Sequence, residues 1–255
     1  MSGRFLPFFI ASPRNYSYFF IYMILCPVCK QSNDDFSINC ISCGSYIQDR
    51  VPNLDLFSMI WLIIESPSAA FKKIIIAEHK NFVLFFSLFF GISTIFTLMW
   101  FSRSGNSFDN LFPLLLFATV VGIGISVPIF YCLAFIFHII IALLKHGAKF
   151  KVTYGIIGWS LVPIMLSVVF VLPFKLSTLG LLLFSTNPSA YEVKPLVTTV
   201  LLGLDALMIL WSLILASIGI STAYRFKFII SLGIVVFVVG ATSVLSFLVY
   251  SSFNI

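Results

Sequence analysis

The chain has 255 residues, of which 60% are hydrophobic and only 9% are charged, with a formal net charge of +6. Soluble domains are roughly 45–50% apolar and about 25% charged, so this chain cannot cover itself with polar surface. Its apolar residues also form long uninterrupted runs, which excludes a soluble globular protein and indicates an integral membrane protein. The basic residues form no continuous face, so we expect no nucleic-acid partner.

Residues 1–22 are rich in aromatic side chains, but Pro7, Pro13 and Asn15 interrupt them. This stretch is too short to span a membrane, and it contains no signal-peptide cleavage motif. A cysteine motif begins only three residues after Met23. We therefore expect translation to start at Met23, with residues 1–22 as an untranslated leader; a translated leader is the alternative.

Residues 23–50 are polar and hold four of the five cysteines, in two C-x-x-C pairs separated by ten residues: Cys26, Cys29, Cys40 and Cys43. Two such pairs can present four thiolates tetrahedrally to zinc, so we predict a small zinc ribbon with a structural zinc ion. Two disulfides are the alternative, which a reducing cytoplasm disfavours. The fifth cysteine, Cys132, lies in an apolar run and is interpreted as a small buried hydrophobic residue.

Residues 51–81 are predicted to form an interfacial amphipathic segment. The apolar run over residues 54–64 is too short to cross roughly 30 Å of hydrocarbon. Ser66 followed by Pro67 predicts the start of a second helix. On that helix Phe71, Ile74 and Ile75 share one face, and the opposite face carries Lys72, Lys73, His79 and Lys80. Such a helix is expected to lie against the bilayer.

Residues 82–255 are predicted to form a membrane domain of five helices. Five lipid-length runs occupy residues 82–101, 112–144, 154–174, 196–218 and 228–250. The second run is long and is interrupted by Pro128, which predicts a tilt or a kink. The predicted fold class is an all-α integral membrane protein, a five-transmembrane-helix bundle with a small N-terminal zinc ribbon.

The distribution of lysine and arginine predicts the orientation. With five spans, twelve of these residues fall on the side of the N-terminus and three on the other: Arg103, Lys175 and Lys194. The richer side belongs in the cytoplasm. We therefore expect a multi-pass protein of the bacterial inner membrane, with the N-terminus inside and the C-terminus outside. The residues expected to face lipid or a partner are Lys72, Lys73, Lys145, Lys149 and Lys151.

Asp205 is the only acidic residue inside a predicted span, where insertion of an aspartate costs on the order of 2.5–3.5 kcal/mol. No lysine or arginine lies inside any of the predicted spans, so we expect Asp205 to be protonated and hydrogen-bonded to a neighbouring helix. The alternative is a proton or ligand site. His138 is the other intramembrane polar residue, but it is expected to lie roughly 10 Å from the depth of Asp205.

Small residues in the spans predict close helix contacts. Ser212, Ala216 and Gly219 form a stripe on the fourth span, and the further candidates are Gly122 with Ser126 and Gly233 with Gly240. No nucleophile, metalloprotease, phosphate-loop or dinucleotide-binding motif is present, so we expect no enzymatic activity.

Three segments carry a resemblance to a known family: ESPSAAFKKI (Glu65–Ile74), LLKHGAKFKVTYGIIGWSLVPIML (Leu143–Leu166) and WSLILASIGI (Trp211–Ile220). Over about residues 57–252 the chain resembles the Yip domain of Ypt-interacting membrane proteins. The loop before the third span has one glycine, Gly147, where relatives often have two. The CPVCK and CISCG knuckles are similar to zinc ribbons that precede membrane domains in bacterial proteins.

The resemblance implies a five-span protein, without enzymatic activity, whose eukaryotic relatives act in membrane traffic with small GTPases. A zinc ribbon ahead of the domain implies a bacterial protein, which lacks those partners. We therefore expect a membrane adaptor or scaffold whose ribbon and basic face bind membrane lipid or a cytoplasmic protein. The sequence is also compatible with a protein that forms oligomers. The alternative function is a small transporter or channel that uses Asp205.

Overall fold

The structure is a computed structural model that describes residues 23–145 and 147–253, with side chains described as far as Leu245. The expectations for residues 1–22 lie outside this part of the chain.

The N-terminal part of the described chain, residues 23–50, is called the cysteine module below. Strands β1 (Met23–Leu25) and β2 (Ser32–Asp34) pair antiparallel, with Met23 opposite Asp34. A second, smaller hairpin is closed by a single bridge between Asn39 and Tyr46. Each hairpin turn carries one C-x-x-C pair, so the two pairs are brought together by two short turns rather than by a hydrophobic core.

Two short helices follow, α1 (Leu56–Glu65) and α2 (Pro67–Ile76). Asp55 caps α1 by accepting a hydrogen bond from the backbone N–H of Ser58 at 2.8 Å. Pro67 is the first residue of α2, as the sequence predicts, although the side chain of Ser66 makes no capping hydrogen bond.

The membrane domain has five helical stretches long and apolar enough to cross a bilayer, which confirms the predicted number within the described residues. The first two are α3 (Val83–Phe101) and α4 (Leu111–Leu144). The third runs through α5 (Phe150–Ser160), α6 (Val162–Leu166), a π turn (Ser167–Val171), α7 (Leu172–Leu179) and a 3-10 turn (Gly180–Phe184). After the short α8 (Ala190–Val193), the last two are α9 (Pro195–Tyr224) and α10 (Phe228–Phe253).

The third span is longer than the sequence predicts. Residues 175–195 are expected to form an outer connection, whereas the apolar stretch continues to Phe184. There, Leu183 and Phe184 are buried in a second hydrophobic cluster with Phe96 of α3 and Leu114 of α4. Burial of these side chains favours continuation of the helix, and it places Lys175 inside the candidate span rather than outside it.

The apolar face of α2 packs inside the protein rather than against lipid. Phe71 and Ile74 are fully buried, and α2 contacts α5 and α9. The close approach depends on Gly219, because a Cβ atom there would lie 2.5 Å from Ile156 and 2.9 Å from the ring of Phe71. The expectation that this face lies on the bilayer is therefore wrong. Because Gly219 has no side chain, the apolar face of α2 can pack closely against the bundle.

Lys80 also departs from its predicted position. Helix α2 ends at Ile76, so Lys80 does not belong to its polar face. Its ammonium group folds back and donates hydrogen bonds to the carbonyls of Ile74, Ile75 and Ala77. Burial lowers the pKa of Lys80 to about 8. Lys80 thus satisfies carbonyls that the helix end leaves without a partner.

The predicted small-residue contacts are found on α4 and α9, and the residue that α4 meets on α3, Gly91, is not among the predicted residues. A Cβ atom on Gly91 would lie 2.3 Å from the carbonyl oxygen of Gly122 and 2.5 Å from the Cβ atom of Ser126. On α9, the hydroxyl of Ser212 donates to the carbonyl of Ser160 at 2.6 Å. The prediction for α10 is wrong, since nothing lies within 4 Å of a Cβ atom built on either Gly233 or Gly240.

Candidate metal centre and intramembrane polar cluster

The four cysteines of the module lie together, and their sulfur atoms are all within 4.8 Å of one another. The Sγ atoms of Cys26 and Cys43 are 3.6 Å apart, and those of Cys29 and Cys40 are 3.5 Å apart. All four are free thiols, so the alternative of two disulfides is not what the structure shows. Zinc–sulfur bonds of about 2.3 Å in a tetrahedron separate the sulfurs by about 3.8 Å, close to these distances.

The two C-x-x-C turns share one backbone geometry. The carbonyl of Cys26 accepts a hydrogen bond from the N–H of Lys30, and that of Cys40 accepts one from the N–H of Gly44, both at 3.0 Å. Lys30 and Gly44 occupy equivalent positions and both have positive φ, at 60° and 70°. The module therefore offers its sulfurs from two matching knuckles, each closed by a left-handed residue.

The thiols have unequal affinities for protons. The backbone N–H of Cys29 lowers the pKa of Cys26 to about 6, and the N–H of Cys43 lowers that of Cys40. For Cys29, the N–H of Gln31 lowers the pKa, but desolvation and the neighbouring sulfurs outweigh it and raise the pKa to about 11. Crowded thiolates repel one another, so a bound cation is what would allow all four to lose their protons.

This arrangement can hold one metal ion, and its chemistry is that of a closed site. The four sulfurs fill a tetrahedral coordination sphere and leave no position for water or substrate. The side chain of Asn33, on β2, supports the site: its Oδ1 atom accepts a hydrogen bond from the N–H of Ile41 at 2.9 Å, and its Nδ2 atom lies 3.6 Å from the sulfur of Cys40. The sequence pattern of the cysteines gives no indication of this residue.

The module is docked on the membrane domain by charged side chains. Asp34 pairs with Arg225 at 2.6 Å, and Asp35 pairs with Lys72 at 2.8 Å. The ring of Phe36 lies 5.8 Å from the guanidinium carbon of Arg225. We call the end of the bundle that contacts the module the module side.

Of the five lysines expected to face lipid or a partner, three make contacts within the chain. Lys72 pairs with the module, Lys145 donates to the carbonyl of Tyr224, and Lys151 donates to the carbonyl of Glu78 at 2.5 Å. Lys73 and Lys149 are exposed on the same side. The basic face is therefore partly used by the protein itself.

Asp205 on α9 is paired with Lys175 of α7, and its other carboxylate oxygen accepts a hydrogen bond from Ser167 at 2.7 Å. The side chains of Lys175 and Asp205 are only 11% and 22% exposed. The premise that no cation lies within a span is therefore wrong, since Lys175 lies beside Asp205. A paired carboxylate and ammonium are the usual form in which charges occur inside a membrane domain.

A local feature of the third span brings these residues together. In a regular helix, residues eight apart, such as Ser167 and Lys175, point about 80° away from each other. Residues 167–171 instead form a wider π turn, which reduces this offset and lets both side chains reach Asp205. The apolar sequence of residues 167–171 does not predict a π turn.

His138 is not part of this cluster. Its ring meets the edge of Phe150 at 5.5 Å between centroids, and its buried Nδ1 atom has no hydrogen-bond partner in the described structure. Together with Pro128, Tyr131, Cys132 and Phe135, these two residues line an open groove of about 580 Å³ between α4 and the start of α5. Cys132 is exposed there, so the prediction that it is buried is wrong.

The fold and these sites define a class: a multi-pass membrane protein of five apolar helices that carries a cysteine cluster able to hold a metal ion. The profile of the Yip1 domain matches residues 61–250, which is most of the chain. The chain therefore belongs to the Yip1 domain family. No curated protein and no solved structure matches it.

Proposed function

We propose that this protein is a non-enzymatic membrane adaptor of the bacterial inner membrane. In this proposal the cysteine module binds a structural zinc ion. The module and the basic residues beside it bind a cytoplasmic protein partner or anionic lipid, while the bundle anchors them in the membrane. An adaptor role is consistent with membership of a family of membrane proteins. It is also consistent with a metal site that has no open coordination position.

The observation that carries the proposal is the exposed apolar surface of the module. Val28 and Ile41 lie at the tips of the two knuckles, and 71% and 86% of their surface is exposed. Leu25, on β1, is also exposed. Aliphatic side chains held on a small rigid scaffold in water are suited to the apolar core of a protein interface.

The distribution of lysine and arginine residues supports the proposed orientation of the protein in the membrane. With Lys175 inside a candidate span, only Arg103 and Lys194 remain on the side away from the module among the described residues, whereas ten lysines and arginines lie on the module side. This asymmetry favours the module side in the cytoplasm. The same compartment keeps thiols reduced, as a zinc site requires.

The transporter alternative required a carboxylate that faces a water-filled cavity. Asp205 is instead held by Lys175 and Ser167. Two shallow grooves in the described part of the chain, one beside Tyr131 and one beside Phe237, are lined by other residues. No observation favours transport over the adaptor.

The test is partner capture with the full chain from native membranes under mild detergent. The variant with Val28→Ser and Ile41→Ser removes the apolar tips and leaves the four thiols in place. We expect it to lose the protein captured by the unaltered chain, while Lys73→Gln, on the same side, retains it. Identical capture by both, with metal content unchanged, would exclude the knuckle tips as the binding surface.

A further inference from the structure

The contact between the module and the membrane domain is concentrated in one turn. Asp34, Asp35 and Phe36 follow each other at the end of β2, and all three meet cations outside the module, namely Lys72 of α2 and Arg225 after α9. Arg225 receives two of them, the carboxylate of Asp34 and the ring of Phe36. An acidic and aromatic turn is thus seated on Arg225 and Lys72.

This turn is connected to the metal knuckles through hydrogen bonds. Asn33 lies next to Asp34 and binds the second knuckle at the N–H of Ile41. From the other hairpin, the side-chain amide of Gln48 donates to the carbonyls of Asp35 and Ser37 at 3.1 and 2.9 Å. The module has almost no hydrophobic core, so its fold, and with it the shape of the turn, depends on the metal.

On the membrane domain, Arg225 occupies an unusual backbone position. It directly follows the last residue of α9 as the C-terminal cap, and its φ of 56° lies in the left-handed region. Glycine is the usual residue there, since a side chain adds strain. Arg225 adopts this backbone conformation despite the strain, and its guanidinium group contacts Asp34 and Phe36.

We propose that the cysteine module is a metal-dependent latch: the metal folds the acidic turn onto Arg225 and Lys72, and loss of the metal releases the turn and exposes both cations. The latch is a contact within the chain and does not depend on the partner proposed above. It couples the metal state of the module to the charge that the module side presents.

Thermodynamic linkage gives the latch a measurable consequence. If docking favours the folded, metal-bound module, then residues of the docking surface must raise metal affinity, although they touch no sulfur. Exposed ion pairs and ring–cation contacts are individually weak. Removing all three contacts is therefore expected to weaken metal binding about three- to tenfold, and not to abolish it.

The experiment measures zinc affinity of the full chain in zwitterionic nanodiscs by competition with a chelator. The latch variant carries Arg225→Gly and Lys72→Gln. Glycine suits the left-handed position, so the thermal stability of the membrane domain should not fall, while zinc affinity falls three- to tenfold. The control Lys73→Gln changes an exposed lysine one position away and should bind zinc as the unaltered chain does.

Two further results decide the matter. Exchanging the charges, with Asp34→Arg and Arg225→Asp together, should restore most of the affinity that either change alone removes. The loss in the latch variant should also shrink in high salt, which screens exposed ion pairs. Unaltered affinity in the latch variant, or no recovery on charge exchange, overturns the latch and leaves the adaptor proposal untouched, because partner capture tests that separately.

Discussion

Removing Lys175 is expected to destabilise the membrane domain strongly, because it leaves the buried carboxyl group of Asp205 without its cationic partner. At roughly 3 Å and an effective dielectric constant of about 20, the attraction between two unit charges is about 5.5 kcal/mol. Removal of one member of a buried pair typically costs about 3–5 kcal/mol, whereas apolar replacement of both is close to neutral. Both side chains are mostly buried, so these values apply with little loss to solvent.

The assay is thermal unfolding of purified protein in detergent. For a chain of this size about 1 kcal/mol corresponds to about 2–4 °C, so Lys175→Met should lower the midpoint by about 6–20 °C. Asp205→Asn should be similarly harmful because it leaves the lysine unpaired. The double variant Lys175→Met with Asp205→Leu should unfold within about 4 °C of the unaltered protein. Additive losses in the double variant would refute the ion pair.

Three other predictions follow from the metal site, the helix contacts and the orientation. Elemental analysis should find about one zinc per chain, lost in the variant with Cys26→Ser and Cys29→Ser; binding at pH 7 should release protons, because Cys29 has a pKa of about 11 without metal. Metal that persists in that variant would count against the site. Gly91→Ala should cost about 1–3 kcal/mol from overpacking, whereas Gly124→Ala, with open space around it, should be neutral or slightly stabilising in the same assay. A cysteine placed at Thr186 should react with impermeant reagent from outside intact cells; labelling only after lysis would reverse the orientation.

Some predictions succeeded because their signals are local in the sequence. An apolar run long enough to cross a bilayer is visible residue by residue, and all five were found. The spacing of the cysteines likewise predicts a single cluster, because each C-x-x-C turn forms within a few residues. The contacts of small residues are less local: the prediction succeeded for Gly122 on α4 and Ser212 on α9, but it failed for Gly233 and Gly240.

The predictions that failed concern what lies opposite a residue in space. Lys175 looks like a loop residue because the sequence beyond it contains Ser, Thr and Gly, yet burial of the following apolar residues extends the span through it. The amphipathic pattern of α2 shows that Phe71 is buried, but it does not distinguish lipid from protein as the covering surface. Gly219 on a distant helix decides that question.

The sequence by itself determined the membrane class, the number of spans and the set of candidate metal ligands, because hydrophobic length and cysteine spacing act over short stretches of chain. Only the tertiary structure decided which charges are paired. Lys175 meets Asp205 across 30 residues, through a π turn that no residue pattern reveals, and Arg225 meets Asp34 across 191 residues. Such pairings depend on how helices and module come together in space, and a sequence pattern does not carry that information.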